Sequence, residues 1–386
     1  MRTIVSYLTL FILFFVDSAY SNERNNKLIE FPADISFVIF DLKYNHEDGV
    51  KICEIQPGGV SVFSGYDFLM EGDGLVPDML CDAILKYQSD LWYMDSAVCD
   101  RKCKRKFDAM GWENIFSLED LSSDKEFMRL AELPVNDPHN LYDYHGILYV
   151  RPKDIARLED LRSKYPGMII LDAALYSNIK DKLSMDALLK SSPKLSELRP
   201  KSKIYPKEFS NELVADIMED IKGDYYVIKP AHASKGYGVI ITEKENLEST
   251  LKLILQKENR GNLARNPDQT YSYWAYDKRK QFLVEQFIQS VHVEAPQFDS
   301  KMYDGTMRVV ALVIYHQKKV EVDILEGHWK LPKKSVSEEG SFTEKHKSFG
   351  NVPHFAAVEP YILESVKREL EEGFDELYMN CNSGKL

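Results

Sequence analysis

The stretch 224–242, DYYVIKPAHASKGYGVIIT, constrains this chain more than any other. It sets Lys229 at the end of an apolar, β-branched run and follows it with a loop holding Gly236 and Gly238, after which a second β-branched run begins. Two strands joined by a glycine loop are the expected local fold. Glycines let a backbone approach a ligand closely and turn its N–H groups inward, so the loop suits a polyphosphate, with Ser234, Lys229 and Lys235 as donors and counter-charges. It is not a P-loop: GxxxxGK[ST] is absent, and a strand follows where a helix would open. The plain alternative is a glycine-rich hairpin without a ligand.

A chain of 386 residues with 44% apolar content has room for a large core and two or three lobes. The net charge of -12 argues against general nucleic-acid binding, which needs a positive face. Positive charge does gather in 318–347, which suits either an anionic ligand or a solvated face.

Residues 1–21 combine an early arginine, a short apolar run and a small-residue end, the pattern of a secretory signal peptide. We therefore expect export, periplasmic or secreted, with no stable membrane span after cleavage and with delivery into a host cell left open; an uncleaved anchor is the alternative. Of the five cysteines, an odd count leaves at least one free or intermolecular, and Cys99 and Cys103 either bridge each other or lie on one helix face as core residues.

Along the chain, 35–44 and 50–56 read as a hairpin with charged inner positions, and 76–87 as a helix. Strand 146–150, helix 152–165 and strand 168–171 form a unit belonging to an α/β lobe. Helices are expected at 180–189, 209–221 and 361–378, and a second long hairpin at 306–316 and 319–325. Segment 335–351 reads as a mobile loop. The domains drawn on this basis are the 22–72 hairpin, an α/β and helical lobe over 73–178, and nucleotide-binding lobes over 179–386.

In order, these pieces resemble the ATP-grasp superfamily. Lys182, opening the helix in IKDKLSMDALL, resembles the first ATP-contacting lysine of that family, and Lys229 in YVIKP the second. The glycine loop resembles the flexible loop over the phosphates. FLVEQFI resembles the hinge that reads adenine, with Glu285, Gln286, Phe287 and Ile288 lining it, and Asp304-Gly-Thr-Met-Arg308 resembles the step where an arginine meets the γ-phosphate. The family's closing metal pair, Asp and then Glu-x-Asn, is missing from the tail; its likeness stands at the front, as Asp41 and Glu54-x-Gln56, on the two strands of the first hairpin. Magnesium takes hard oxygen ligands of this type.

What the resemblance implies is an α+β or α/β fold, an ATP-grasp-like two-lobed clamp with an additional α/β lobe, and the metal hairpin permuted to the N-terminus. It implies ATP and Mg²⁺ as cofactors and a carboxylate–amine ligase acting through an acyl phosphate, whose partners are a small-molecule or peptide carboxylate and an amine acceptor. Arg308 would then act on the transferring phosphoryl group. We place Lys330 beside it as a catalytic candidate, in a segment where Lys330, Lys333 and Lys334 flank Trp329 and suit an acceptor or carboxylate pocket. The competing readings are an exported nucleotide-binding protein without turnover and a secreted, non-enzymatic binding module.

Overall fold

The computed structural model describes residues 32–151, 158–171, 175, 178–179, 181–233 and 236–382. In chain order, β1 (Asp34–Asn45) and β2 (Gly49–Pro57) form the opening hairpin, with Gly49 at a positive φ of 66° closing its turn. Next come β3 (Leu91–Met94), β4 (Glu113–Ile115), β5 (Ile147–Tyr149) and β6 (Ile169–Leu171), a parallel sheet in the order β4-β3-β5-β6. The helix expected over 152–165 is described as Leu158–Lys164, and that over 76–87 as Leu75–Leu85.

The chain then builds an antiparallel sheet from β7 (Ser202–Pro206), β8 (Tyr225–Pro230), β9 (Ile240–Glu243) and β10 (Gln281–Gln286), in the order β7-β10-β8-β9. Helices Asn211–Asp220, Leu247–Leu255 and Gln269–Tyr276 cover one side of it. After a two-stranded piece, β11 (His292–Ala295) with β12 (Lys301–Asp304), come β13 (Thr306–His316), β14 (Lys319–Lys330) and β15 (Phe355–Ala357). These last three join the opening hairpin in one five-stranded sheet, β15-β14-β13-β1-β2. The described chain is thus a mixed α/β fold of several sheets.

β1 lies inside that sheet and is buried on both faces. Val38, Phe40, Leu42 and Tyr44 face the closing helix Pro360–Asn382, together with Val309, Ala311 and Val313 of β13. Ile35, Phe37 and Ile39 face the parallel-sheet lobe, together with Val310, Leu312 and Ile314. Each such side chain stabilises the fold by about 1.5–3 kcal/mol, which explains why two layers close over one strand.

The lobe-facing row changes character where the covering lobe ends. On β1 it runs Ile35, Phe37, Ile39 and then Asp41, Lys43; on β13 it runs Ile314, Leu312, Val310 and then Arg308, Thr306. Because side chains alternate along a strand, these charges share one face. That face, opposite the β7–β10 sheet, is the cleft.

β14 reaches Lys330, beyond the expected end at Leu325, since its residues 326–330 keep pairing with β13. Alternation then puts Glu326, His328 and Lys330 on the cleft face and sends Trp329, fully buried, to the opposite core. The sequence expectation that Trp329 flanks the pocket is corrected accordingly. The mobile loop expected over 335–351 instead contains a capped helix, Phe342–His346, in which Ser341 and Glu344 exchange side-chain-to-backbone bonds.

Candidate active site

A single rung of the five-stranded sheet carries most of the charge. Asp41 pairs in register with Glu54 on one side and Arg308 on the other, and Arg308 pairs with His328, so Glu54, Asp41, Arg308 and His328 cross four strands in line. A bulge sets this alignment. The register steps from Asp41–Glu54 to Leu42–Ile52, leaving Cys53 as the extra residue, and its carbonyl turns out to accept Lys229 Nζ at 3.2 Å.

Arg308 donates to both oxygens of Asp41, Nε at 2.9 Å and Nη2 at 3.0 Å, the two-pronged geometry that suits a guanidinium and a carboxylate. Lys330 Nζ adds a bond to Oδ2 at 3.0 Å and Gln56 Nε2 another at 3.4 Å. Burial on its own would raise the Asp41 carboxyl, but Arg308 and Lys330 outweigh it and hold the group well below its ordinary value. Burial also lowers Lys330, against the pull of Asp41.

The facing sheet and the helix Lys182–Leu189 supply the other cations. Asp181 caps that helix through Leu183 N and Ser184 N, which fixes Lys182 at its first turn. Lys182 Nζ donates to Glu54 Oε1 at 2.9 Å and to the carbonyl of Ala233, at the start of the glycine loop, at 2.6 Å. Lys229 pairs with Glu285 on the neighbouring strand, and Glu285 is also bound by Arg199, which in turn holds Asp186. Buried ions persist only when partnered in this way. A cleft of about 400 Å³ opens between these elements, lined by Glu54, Gln56, Lys182, His232, Ala233 and Tyr273 among others.

The fold therefore gathers residues from distant parts of the chain: Glu54, Gln56 and Lys182 line the cleft, Asp41, Arg308 and Lys330 form a linked cluster on the strands beside it, and Lys229 reaches the backbone of β2 at Cys53. Asp304 sits behind them, fully buried, accepting from Lys43 Nζ at 3.0 Å and Ser290 N at 2.7 Å and bonded to His346 Nδ1 at 2.6 Å. Its carboxylate anchors neighbouring segments. In the hinge, the Glu285 carboxylate belongs to the ion cluster, Phe287 joins an aromatic group with Tyr225, and Gln286 and Ile288 line a second hollow of about 340 Å³. Gly236 and Gly238 hold positive φ of 70° and 71°; a side chain on Gly238 would meet Pro230 at 2.7 Å. Ser234 and Lys235 lie outside the described residues.

Sequence reasoning missed Lys43, Arg199 and Glu326, and counted His328 only within the basic run 318–347. Glu326 and His328 bond each other at 2.8 Å, and the second Glu326 oxygen is buried without a partner. Only the alternation of β14, once its full length is known, reveals that they join the cleft face.

The oxygen types are those magnesium takes: Asp41 and Glu54 are register partners and Gln56 carries an amide oxygen. Here Arg308, Lys330 and Gln56 engage both Asp41 oxygens and Lys182 engages Glu54 Oε1, and among the described residues no three His, Cys, Asp or Glu side chains gather as a metal site. Cys103 is buried on the helix Arg101–Ala109 and Cys99 is exposed just before it, both as free thiols. Among the described residues no helix is long and apolar enough to cross a membrane.

No protein-family model matches the chain, and no curated protein matches its sequence. Solved structures similar to it include a protein described as a gamma-glutamylcysteine synthetase from Methylobacillus flagellatus KT, at 8% identity and a TM-score of 0.38, covering 91% of this chain and 89% of that one. D-alanyl-alanine synthetase A from Vibrio cholerae O1 biovar eltor is similar at 10% identity and a TM-score of 0.34, covering 76% and 81%. The D-alanine-D-alanine ligase from Coxiella burnetii follows at 10% identity and a TM-score of 0.25, covering 63% and 71%. At TM-scores below 0.5 these likenesses carry no weight for function, which has to be read from this chain's own side chains.

Proposed function

We propose that the chain is an ATP-dependent ligase of the ATP-grasp type, joining a carboxylate to an amine, with the metal-bearing hairpin permuted to the front of the sequence. One observation carries this reading. Lys229 of the β7–β10 sheet and Lys182 at the start of its helix both reach β2, next to the Asp41–Arg308 rung of the five-stranded sheet and beside a glycine loop. Phosphoryl transfer depends on alignment and neutralisation of charge more than on covalent chemistry, and these are the groups it uses.

In this reading Lys182, Lys229 and the glycine-loop amides bind the phosphates of ATP. Arg308, released in part from Asp41, steadies the γ-phosphoryl group as the substrate carboxylate attacks phosphorus and ADP departs. Lys330 orients that carboxylate. An amine then attacks the acyl carbon, and inorganic phosphate leaves with the C–O bond electrons. Asp41, Glu54 and Gln56 would hold Mg²⁺, which supplies charge neutralisation at the phosphates. The signal-like segment 1–21 supports export as the accompanying proposal.

The test is a thermal shift with Mg·ATP, followed by ADP release across a panel of amino acids and short peptides offered as acids and amines. Nucleotide-dependent stabilisation with acceptor-dependent ADP release is expected. Stabilisation without ADP release from any pair would reduce the protein to a nucleotide binder, and neither response would overturn the reading.

A further inference from the structure

On β8, Tyr226 and Ile228 enter the core beneath the sheet, so Tyr225, Val227 and Lys229 line its cleft side. Over that side runs the segment between β14 and β15. Its Phe342 lies flat against Tyr225, with ring centres 4.1 Å apart and planes 7° apart. Phe287 meets Phe342 nearly edge-on at 5.1 Å, and His346 packs against it at 4.1 Å. A ring-shaped slot is thus filled by the chain itself.

The segment is tied to both sides of the cleft. On one side it meets β12, where His346 bonds Asp304, itself held by Lys43 of β1, and Glu338 pairs with Lys301 at 3.1 Å. Toward the glycine loop, Lys347 Nζ donates to Val239 O at 3.3 Å and Thr270 Oγ1 at 3.1 Å, and its chain passes over Gly236. Tyr225 and Lys229 are four residues apart on one face, roughly 13 Å of extended strand. A nucleotide with its base on Tyr225 spans that distance to bring its phosphates to Lys229.

We infer that the corner formed by the face of Tyr225 and the Phe287 ring, which meet edge-on at 5.7 Å, receives the purine base of the nucleotide, and that Phe342, which fills it in this structure, makes 341–347 a strap that the nucleotide displaces. The inference rests on the nucleotide reading above and adds its regulation. A site whose open form is a fraction of the population binds more weakly by that fraction. Flat aromatic faces stack bases, so the same face that holds Phe342 serves the ligand.

The experiment is calorimetric titration of the full chain with ATP and, separately, with inorganic tripolyphosphate, which has no base. Phe342→Ala should bind ATP about tenfold tighter with tripolyphosphate affinity unchanged. Ser341→Ala, which loosens the helix cap and leaves every ring in place, should tighten ATP by a smaller factor. Tyr225→Ala should weaken ATP alone, and Phe349→Ala, in the same segment but packed on His354, should match the wild type. If Phe342→Ala and Ser341→Ala both leave ATP affinity equal or weaker while tripolyphosphate still binds, the strap is overturned. If neither the wild type nor the variants bind either ligand, the nucleotide reading itself fails.

Discussion

Replacing Asp41 by asparagine removes one negative charge from a place where two positive ones stay behind. The Asp41, Arg308 and Lys330 side chains are 9%, 20% and 13% exposed, so the cations are left largely out of water with an amide in place of their counter-ion. Breaking a buried pair from one side costs about 3–5 kcal/mol, and the remaining exposure of Arg308 puts this case near the lower end, about 3 kcal/mol. Urea denaturation at pH 7 should show the loss as a lower midpoint with little change in slope. Asp41→Leu combined with Arg308→Met and Lys330→Met, which removes the charges together, should be less damaging than Asp41→Asn alone. The acid dependence follows from the depressed carboxyl. Its contribution is complete above the unfolded value of about 3.8 and fades only as the pH falls through the lower value of the folded chain. A destabilisation under about 1 kcal/mol at pH 7, or a difference from wild type already shrinking at pH 6, would refute the reasoning.

Lys229→Met keeps the aliphatic packing but leaves Glu285 to Arg199 alone; ATP affinity should fall at least tenfold for about 1–3 kcal/mol of stability, and unchanged affinity by calorimetry counts against the phosphate site. Gly238→Ala places a methyl group at a positive φ of 71° against Pro230, so it should cost about 1–2 kcal/mol in urea denaturation, and a neutral result would mean the loop relaxes freely. Peptide mapping after thiol labelling at pH 8 should find Cys99 modified first, because burial pushes Cys81 up to about 12 and Cys103 also far above its ordinary value; comparable labelling of all three would contradict their burial.

The hairpin was legible because two β-branched and aromatic runs flank a short polar turn, with charged residues such as Asp41 and Glu54 at inner positions of the strands. The glycine loop was legible because Gly236 and Gly238 flank a β-branched run. Lys182 and Lys229 could be placed by their positions at a helix start and a strand end. What escaped depends on contacts between remote segments. Gly327 and Trp329 disguise the continuation of β14, which pairing with β13 enforces, and so hid the place of His328 beside Arg308. The bulge at Cys53 has no local signature, and neither does the choice of Asp304 as partner for Lys43. Segment 335–351 read as loop because its Ser, Glu and Gly content is polar; the capping box, together with Phe342 stacked on Tyr225, orders it from outside.

β1 also has a bearing on how the molecule is made. One of its two neighbours in the sheet is β13, and the bond from Arg308 to Asp41 spans 267 residues. At a synthesis rate of about 5–20 residues per second, the strand waits tens of seconds with that edge unpaired and its apolar faces uncovered. Such long-range pairing is slow to form and exposed to aggregation meanwhile, so a holding chaperone that recognises extended apolar segments should engage the nascent chain through 34–45. The charged rung is completed only when β13 and β14 arrive, so a ribosome-bound fragment ending before residue 306 holds Lys182 and Lys229 without Arg308 and Lys330.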